Sequence, residues 1–512
     1  MHELVLDGQP LSITDVVAVA RDGRPARLGD HARTRVTAAR RLVEQHAHDS
    51  HPFYGINTGF GSLSRVRIAP AEIDQLQINL VRSHAAGAGE PLPIEVVRAM
   101  MLLSAASLAR GHSGVRAEVI ETICACLNQG VHPLVPSRGS VGASGDLAPL
   151  AHMALALIGE GRALHHGHES SAADALHAAG IAPLRLKAKE GLALLNGTHL
   201  MAALGALAIH DAVVLFDSAL VAAAMSLEGA LASHVPLDAR IHQARRQPGQ
   251  IAVAARMREL LAGSELPASH ADCPRVQDPY SLRCIPQVLG AVHDAIGYAR
   301  GVIETELGGV TDNPLCFPDE GEILSGGNFH GQPLAIALDL LAIALTNLAA
   351  IAERRVFLLL AAQEPAMRVT PFLSARPGLQ SGLMVAQYTA AALVNECQGL
   401  AHPASVGNVP TSAGMEDYNS MGATAALKAR RVLEHARTVV AIELLSAAQA
   451  LEFQHPLRAG TGVEAAHARI RSVVPPLVED RPLAGDIAAL EAMIARGELA
   501  AISRGAPSIR AS

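Results

Sequence analysis

The sequence predicts a mainly α-helical protein built around a long central helical bundle, and three observations predict it. Half of the 512 residues are hydrophobic and only 17% are charged, which supplies apolar surface for a large core and argues against extended disorder. Ala and Leu dominate while aromatics reach 3% with no Trp, a composition suited to helices packed closely through small side chains. Finally, segments 94–109, 199–232, 333–362 and 423–451 carry apolar residues at helical spacing, nearly all round.

Taken in chain order, the opening MHELVLDGQPLSITD has early acidic residues and no basic-then-apolar signal, so a cytoplasmic protein is expected. The N-terminal third mixes apolar stretches with turn residues, as in YGINTGFGS (54–62), and is expected to hold the most irregular structure. HHGHESSAAD (165–174) is the densest histidine patch. Its spacing fits no zinc pattern, so it is expected as a solvated loop between helices, with no metal bound. In the long apolar segments, His210, Asp211, Asp217 and Glu228 interrupt one and Asp339, Glu353 and Arg354 another. Such charges are costly in lipid but can pair inside a bundle, so a membrane span is not expected. Pro475-Pro476 precedes a last helical stretch, DIAALEAMIARGEL. The expected organisation is an N-terminal region, 1–200, a central long-helix bundle, 201–475, and a C-terminal helical arm, 476–512.

The net charge of −7 and the absence of a basic run with interleaved aromatics argue against a nucleic-acid partner. Six cysteines (Cys124, Cys126, Cys273, Cys284, Cys316 and Cys397) form no CxxC pair, so neither a zinc site nor a disulfide framework is expected.

The stretch GSVGASGDLAPLAH (139–152) sets Gly139, Gly142 and Gly145 around Ala143 and Ser144. It is no nucleophile elbow, because G-x-S-x-G fails at Asp146, and no phosphate loop, because G-x-x-x-x-G-K is absent. Two readings stay open. One is a glycine turn that lets two elements approach, with Asp146 capping the next element. The other makes the tripeptide a reagent: in a tight unhindered bend the amide nitrogen of Gly145 attacks the Ala143 carbonyl, and loss of the Ser144 hydroxyl leaves an electrophilic methylene.

Ala143-Ser144-Gly145 followed by Asp resembles the signature of ammonia-lyases and aminomutases that carry 4-methylidene-imidazole-5-one (MIO). YGINTGFG (54–61), SHAAGAGEPL (83–92), GLALLNGT (191–198), QDPYSLRC (277–284), SGGNFHG (325–331) and EDYNSMG (416–422) resemble, in order, blocks of histidine ammonia-lyases, so the likeness covers nearly the whole chain. It implies a fumarase/aspartase-like helical architecture and a carbon–nitrogen lyase that removes ammonia from L-histidine, giving trans-urocanate, the first step of histidine degradation. It also implies MIO formed autocatalytically from Ala143, Ser144 and Gly145, with no metal or dissolved organic cofactor. The expected assembly is a homotetramer whose active sites combine residues of different chains.

Carried over residue by residue, Tyr54 matches the catalytic base, and a lowered phenol pKa is expected for it near cations. Tyr280 matches a second tyrosine near the ring, and Arg283 the residue that grips the substrate carboxylate. Asn196 corresponds to an amide that contacts the carboxylate or the MIO oxygen, with Gln277 beside it. Phe329 corresponds to a residue packing on the substrate ring or MIO.

His84, after Ser83, stands where tyrosine-type enzymes resemble His-Leu and phenylalanine-type Phe-Leu. Glu416 stands where both resemble Gln. An imidazole satisfies these polar groups, whereas a phenyl ring leaves them unpaired at about 1–3 kcal/mol each. Gly414-Met415 and Tyr418-Asn419 depart from the usual histidine-type block, and Met415 and Asn419 are expected to reshape the pocket. A tyrosine or phenylalanine ammonia-lyase, or a 2,3-aminomutase, is the alternative. A non-catalytic helical scaffold would be expected to have lost the loop or its partners, and this chain retains them.

Overall fold

The computed structural model describes residues 2–47, 49–143, 145–273 and 275–504. Two compact units emerge: residues Met1–His210, Arg300–Asp339 and Pro403–Leu427 in the first, and Asp211–Ala299, Leu340–His402 and Lys428–Ser512 in the second. This division differs from the three consecutive segments expected. Its cause is the length of four helices, His199–Gly229, Ile285–Glu306, Gln332–Ala361 and Gly422–Glu452, each of which starts in one unit and ends in the other.

In the first unit, local chemistry sets the helix starts. Ser12 caps Ile13–Ala20, and Asp15 reaches back to the Ser12 N–H, a full capping box. Ile94–Ala109 follows Pro93, and every residue from Val96 to Ala109 is buried. Small residues such as Ala99, Ser104, Ala105 and Ala106 make that burial possible, since they let neighbouring backbones approach closely. The first unit also holds all the strands among the described residues, none longer than four residues. Ala88–Pro91 pairs antiparallel with Pro136–Arg138, which leads directly into the glycine loop.

The histidine patch is not a loop. Arg162–His165 and His168–Ser171 form a hairpin closed by His166 and Gly167, whose φ values of 49° and 80° are those of a two-residue turn with both centres left-handed. Glycine supplies one of these conformations at no steric cost. Weighing the histidines as ligands overlooks that turn. The N-terminal third also carries helices, such as Asp30–Ala47 and Ala117–Gln129, between its short strands.

In the second unit, the long helices meet through small apolar side chains and a buried ion pair. Arg355 Nη2 lies 2.9 Å from Glu443 Oε2, both side chains are fully enclosed, and Ser226 Oγ donates to Glu443 Oε1 at 2.8 Å. Enclosed pairs contribute little net stability, because desolvation offsets attraction, but breaking one strands a charge. His199–Gly229 and Gln332–Ala361 are long and apolar enough to cross a membrane, yet 78% and 72% of their apolar windows are buried in protein. The expected arm is tied down: Glu498–Ser503 follows the left-handed Gly497, Arg469 pairs with Glu498, and Arg504 pairs with Asp217 at 2.6 Å. All six cysteines are free.

Candidate active site

The glycine loop is built to be crowded. Gly142 and Gly145 have φ of 73° and 72°. A Cβ on Gly145 would lie 2.0 Å from the Gly197 carbonyl oxygen, and one on Gly142 would lie 2.2 Å from Ser420 Oγ. Only glycine satisfies both demands, so these two glycines are required by the packing as well as by the bend. Three other segments grip the loop. Asp146 N–H donates to Gly197 O at 2.7 Å, Ser420 Oγ and Gly331 N–H donate to Gly142 O at 2.8 and 3.0 Å, and Met421 N–H donates to Val141 O at 2.8 Å. Ala143 is buried, and Ser144 lies outside the described residues.

Asp146 does not cap the adjoining helix, Leu147–Leu157, as a simple turn would have it do. Its Oδ2 accepts the Leu200 and Met201 N–H groups at 2.9 and 3.0 Å, capping the first turn of His199–Gly229, while Ser140 Oγ donates to Oδ1 at 2.8 Å. Complete burial raises its pKa to about 6 against these bonds. The loop is thereby fixed to the start of a 31-residue helix.

Beside the loop is a cavity of about 500 Å³ lined by Tyr54, Ser83, His84, Leu147, Asn196 and Glu416, with apolar walls such as Leu76 and Leu80. Leu147 adjoins the loop, and Asn196 precedes the glycine bridged to Gly145, so the loop borders this cavity. Tyr54 is half-buried and its hydroxyl accepts the Gly61 N–H at 3.3 Å. Asn57 ties the tyrosine's segment together, accepting Phe53 N–H at 2.7 Å and donating to His51 O at 3.0 Å.

The expectation of a lowered Tyr54 pKa is corrected. Burial raises it, and the Glu416 carboxylate raises it further, because an anion opposes formation of a second one. Burial pushes the His84 imidazole below its ordinary value. His84 Nδ1 lies 2.9 Å from Leu80 O, which can only accept, so Nδ1 carries the proton and Nε2 is left as an acceptor. Glu416 is aimed by Thr411, whose Oγ1 donates to Oε2 at 2.8 Å within a tight Thr411–Glu416 turn.

Other expected residues fall elsewhere. Gln277 and Arg283 line a second cavity of about 630 Å³, in the second unit, with Ser233, His234 and Cys284, so within one chain Gln277 does not share Asn196's cavity. Tyr280 is 71% exposed, with the Arg283 guanidinium 4.6 Å from its ring centre. Phe329 is half-buried and lines neither cavity. Met415 and Asn419 are not among the residues lining the Tyr54 cavity: Met415 is exposed, and Asn419 is buried, its Nδ2 donating to Val409 O. Lys189 and Asp312 escape a reading of the sequence, since nothing in their local sequence announces partners far along the chain, and Thr411 escapes it because its turn with Glu416 carries no recognised motif.

A phenol, an acceptor imidazole and a carboxylate gathered at a crowded backbone loop mark a helical enzyme of acid–base chemistry rather than a scaffold. The family described as aromatic amino acid lyase matches residues 11–472. The chain belongs to that family. Over 509 residues it is 54% identical to the histidine ammonia-lyase of Anaeromyxobacter sp. (strain K), covering 98% of this chain and 100% of that one. Among solved structures, histidine ammonia-lyase from Trypanosoma cruzi aligns with a TM-score of 0.91 at 40% identity, over 99% of this chain and 96% of that one. Tyrosine aminomutase from Streptomyces globisporus aligns with a TM-score of 0.93 at 36% identity, over 99% and 100%. The fold is therefore common to both chemistries, and the substrate must be read from the site.

Proposed function

We propose that this protein is a histidine ammonia-lyase, eliminating ammonia from L-histidine without oxidation to give trans-urocanate. The observation that carries the reading is the pair of hydrogen-bond acceptors, His84 Nε2 and the Glu416 carboxylate, on the wall of the Tyr54 cavity. Two acceptors suit a ring that donates from both nitrogens, as a protonated imidazole does, and they penalise a phenyl ring. The kinship with histidine ammonia-lyases supports the same substrate.

The close-packed Gly142–Gly145 bend, free of side chains where backbone must approach backbone, fits cyclisation of Ala143-Ser144-Gly145 to MIO. That group would supply an electrophile that turns the amino group into a better leaving group. Tyr54 takes the β-proton, the carbon–nitrogen electrons leave with the amine, and the new double bond conjugates with the ring. Glu416, facing the imidazole, stabilises positive charge on it and so acidifies the adjacent β-carbon. No metal or dissolved cofactor enters this reading.

Gln277, Tyr280 and Arg283 are not among the residues lining the Tyr54 cavity, which supports a homotetramer in which a neighbouring chain supplies them, Arg283 taking the substrate carboxylate in a bidentate pair. Exposed apolar residues on long helices, Ile336, Phe357, Val385 and Tyr388 among them, suit such an interface. Six free cysteines suit a cytoplasmic location.

Specificity kinetics test the reading. Replacing His84→Leu together with Glu416→Gln is expected to lower kcat/KM for L-histidine by about 100-fold or more while that for L-tyrosine or L-phenylalanine holds or rises, at roughly tenfold per buried polar group. An unchanged preference would remove the two acceptors from the specificity account.

A further inference from the structure

One carboxylate clamps both ends of a short helix. Asp312 Oδ2 takes Lys189 Nζ at 2.6 Å, and Oδ1 takes the Asn313 N–H at 2.7 Å and the Asn196 amide at 3.4 Å. Lys189 precedes the helix Glu190–Leu195 and Asn196 closes it. The Lys189 side chain is fully enclosed and that of Asp312 is 3% exposed. An ion pair so deeply enclosed is a poor source of net stability, and its contribution here is one fixed geometry.

The geometry it fixes is that of Asn196. Asn196 Nδ2 also donates to the Asn313 carbonyl at 2.9 Å. Its two partners, a carbonyl and a carboxylate, can only accept, so both amide hydrogens are turned inward, and the orientation follows from the partners' chemistry. The Asn196 Oδ1 atom forms no hydrogen bond among the described residues, and Asn196 lines the Tyr54 cavity.

We propose that Lys189 and Asp312 are positioning residues that hold the Asn196 amide with Oδ1 toward the cavity, so that Asn196 meets the substrate as a hydrogen-bond acceptor for its α-amino group. The proposal rests on the amino-acid lyase reading above. An amide oxygen attracts an ammonium or amine and repels a carboxylate, so the substrate carboxylate is left to a guanidinium. Asn196 then orients the leaving group.

An acid–amide exchange tests this. The double variant Asn196→Asp with Asp312→Asn keeps the net charge and an acceptor at position 196 while removing its donors. Asp312→Asn alone is expected to lower kcat by at least about 10-fold with a smaller change in KM, and the double variant, which keeps an acceptor at position 196 but has no hydrogen for the Asn313 carbonyl, to hold KM for L-histidine within about 10-fold of the unaltered enzyme. A donor role predicts the reverse: a carboxylate at position 196 would repel that of the substrate, and KM for L-histidine would rise by more than about 100-fold, which overturns the proposal. Asn196→Ala, which leaves the Lys189–Asp312 pair intact, gives a second readout by calorimetry. Binding of L-histidinol, which has the amine but no carboxylate, should weaken by about 10-fold or more, while imidazolepropanoate, with the carboxylate but no amine, stays within about twofold. The opposite pattern overturns the acceptor role. If the unaltered enzyme converts none of L-histidine, L-tyrosine and L-phenylalanine, the lyase reading fails, and the two probes still decide the chemistry of Asn196.

Discussion

At the scale of the residue, Tyr54 carries the hardest task. Burial and Glu416 hold its phenol above the ordinary value of about 10, so the resting side chain is neutral and its ionisation depends on positive charge arriving with the substrate or from a neighbouring chain. The signs give two limbs. Phenolate increases with pH, so kcat/KM should climb on the alkaline side. His84 must be neutral to accept, and burial lowers its pKa, so the acid limb should lie below the ordinary histidine value of about 6.5. Tyr54→Phe is expected to reduce kcat by about 10²–10⁴-fold and abolish the alkaline rise. Near-normal turnover in that variant would assign the base elsewhere. The sequence points to Tyr54, His84 and Glu416 through the blocks around them, but the direction of the Tyr54 shift is not legible there. It depends on which charge lies across the cavity, and Glu416 lies far along the chain from Tyr54.

At the scale of the element, the long helices are readable almost to their ends, because burial all round writes continuous apolar runs. The expected 94–109 is the observed Ile94–Ala109, and 333–362 is Gln332–Ala361. The hairpin 162–171 is not, since its strands are four residues each and its signal rests on the His166-Gly167 turn. The loop is legible as a tight bend but its partners are not: Gly197, Gly331, Ser420 and Met421 meet it only in three dimensions. Gly145→Ala combines an unfavourable left-handed φ with a clash against the Gly197 carbonyl. It should cost about 2 kcal/mol or more in urea unfolding and abolish turnover, with helical content by circular dichroism unchanged. An active, equally stable variant would show that the loop is looser than described.

At the scale of the whole molecule, the two-unit division is hidden from the sequence because helices of 22 to 31 residues carry the chain from one unit to the other. Tyr54 and Arg283 line different cavities of one chain, and this makes a prediction about assembly. Tyr54→Phe and Arg283→Ala should each be nearly inactive as pure proteins, yet unfolding and refolding a mixture should recover activity, because some sites would combine an intact Tyr54 with an intact Arg283 from another chain. A mixture no more active than its parts would place both residues in one chain's site.

The central claim is tested most directly by near-ultraviolet absorbance of the purified enzyme incubated separately with L-histidine, L-tyrosine and L-phenylalanine, with Ser144→Ala as control. A urocanate band that grows with histidine alone and is lost in the control is the predicted result. A coumarate or cinnamate band in its place, or a urocanate band that persists in Ser144→Ala, would contradict the account.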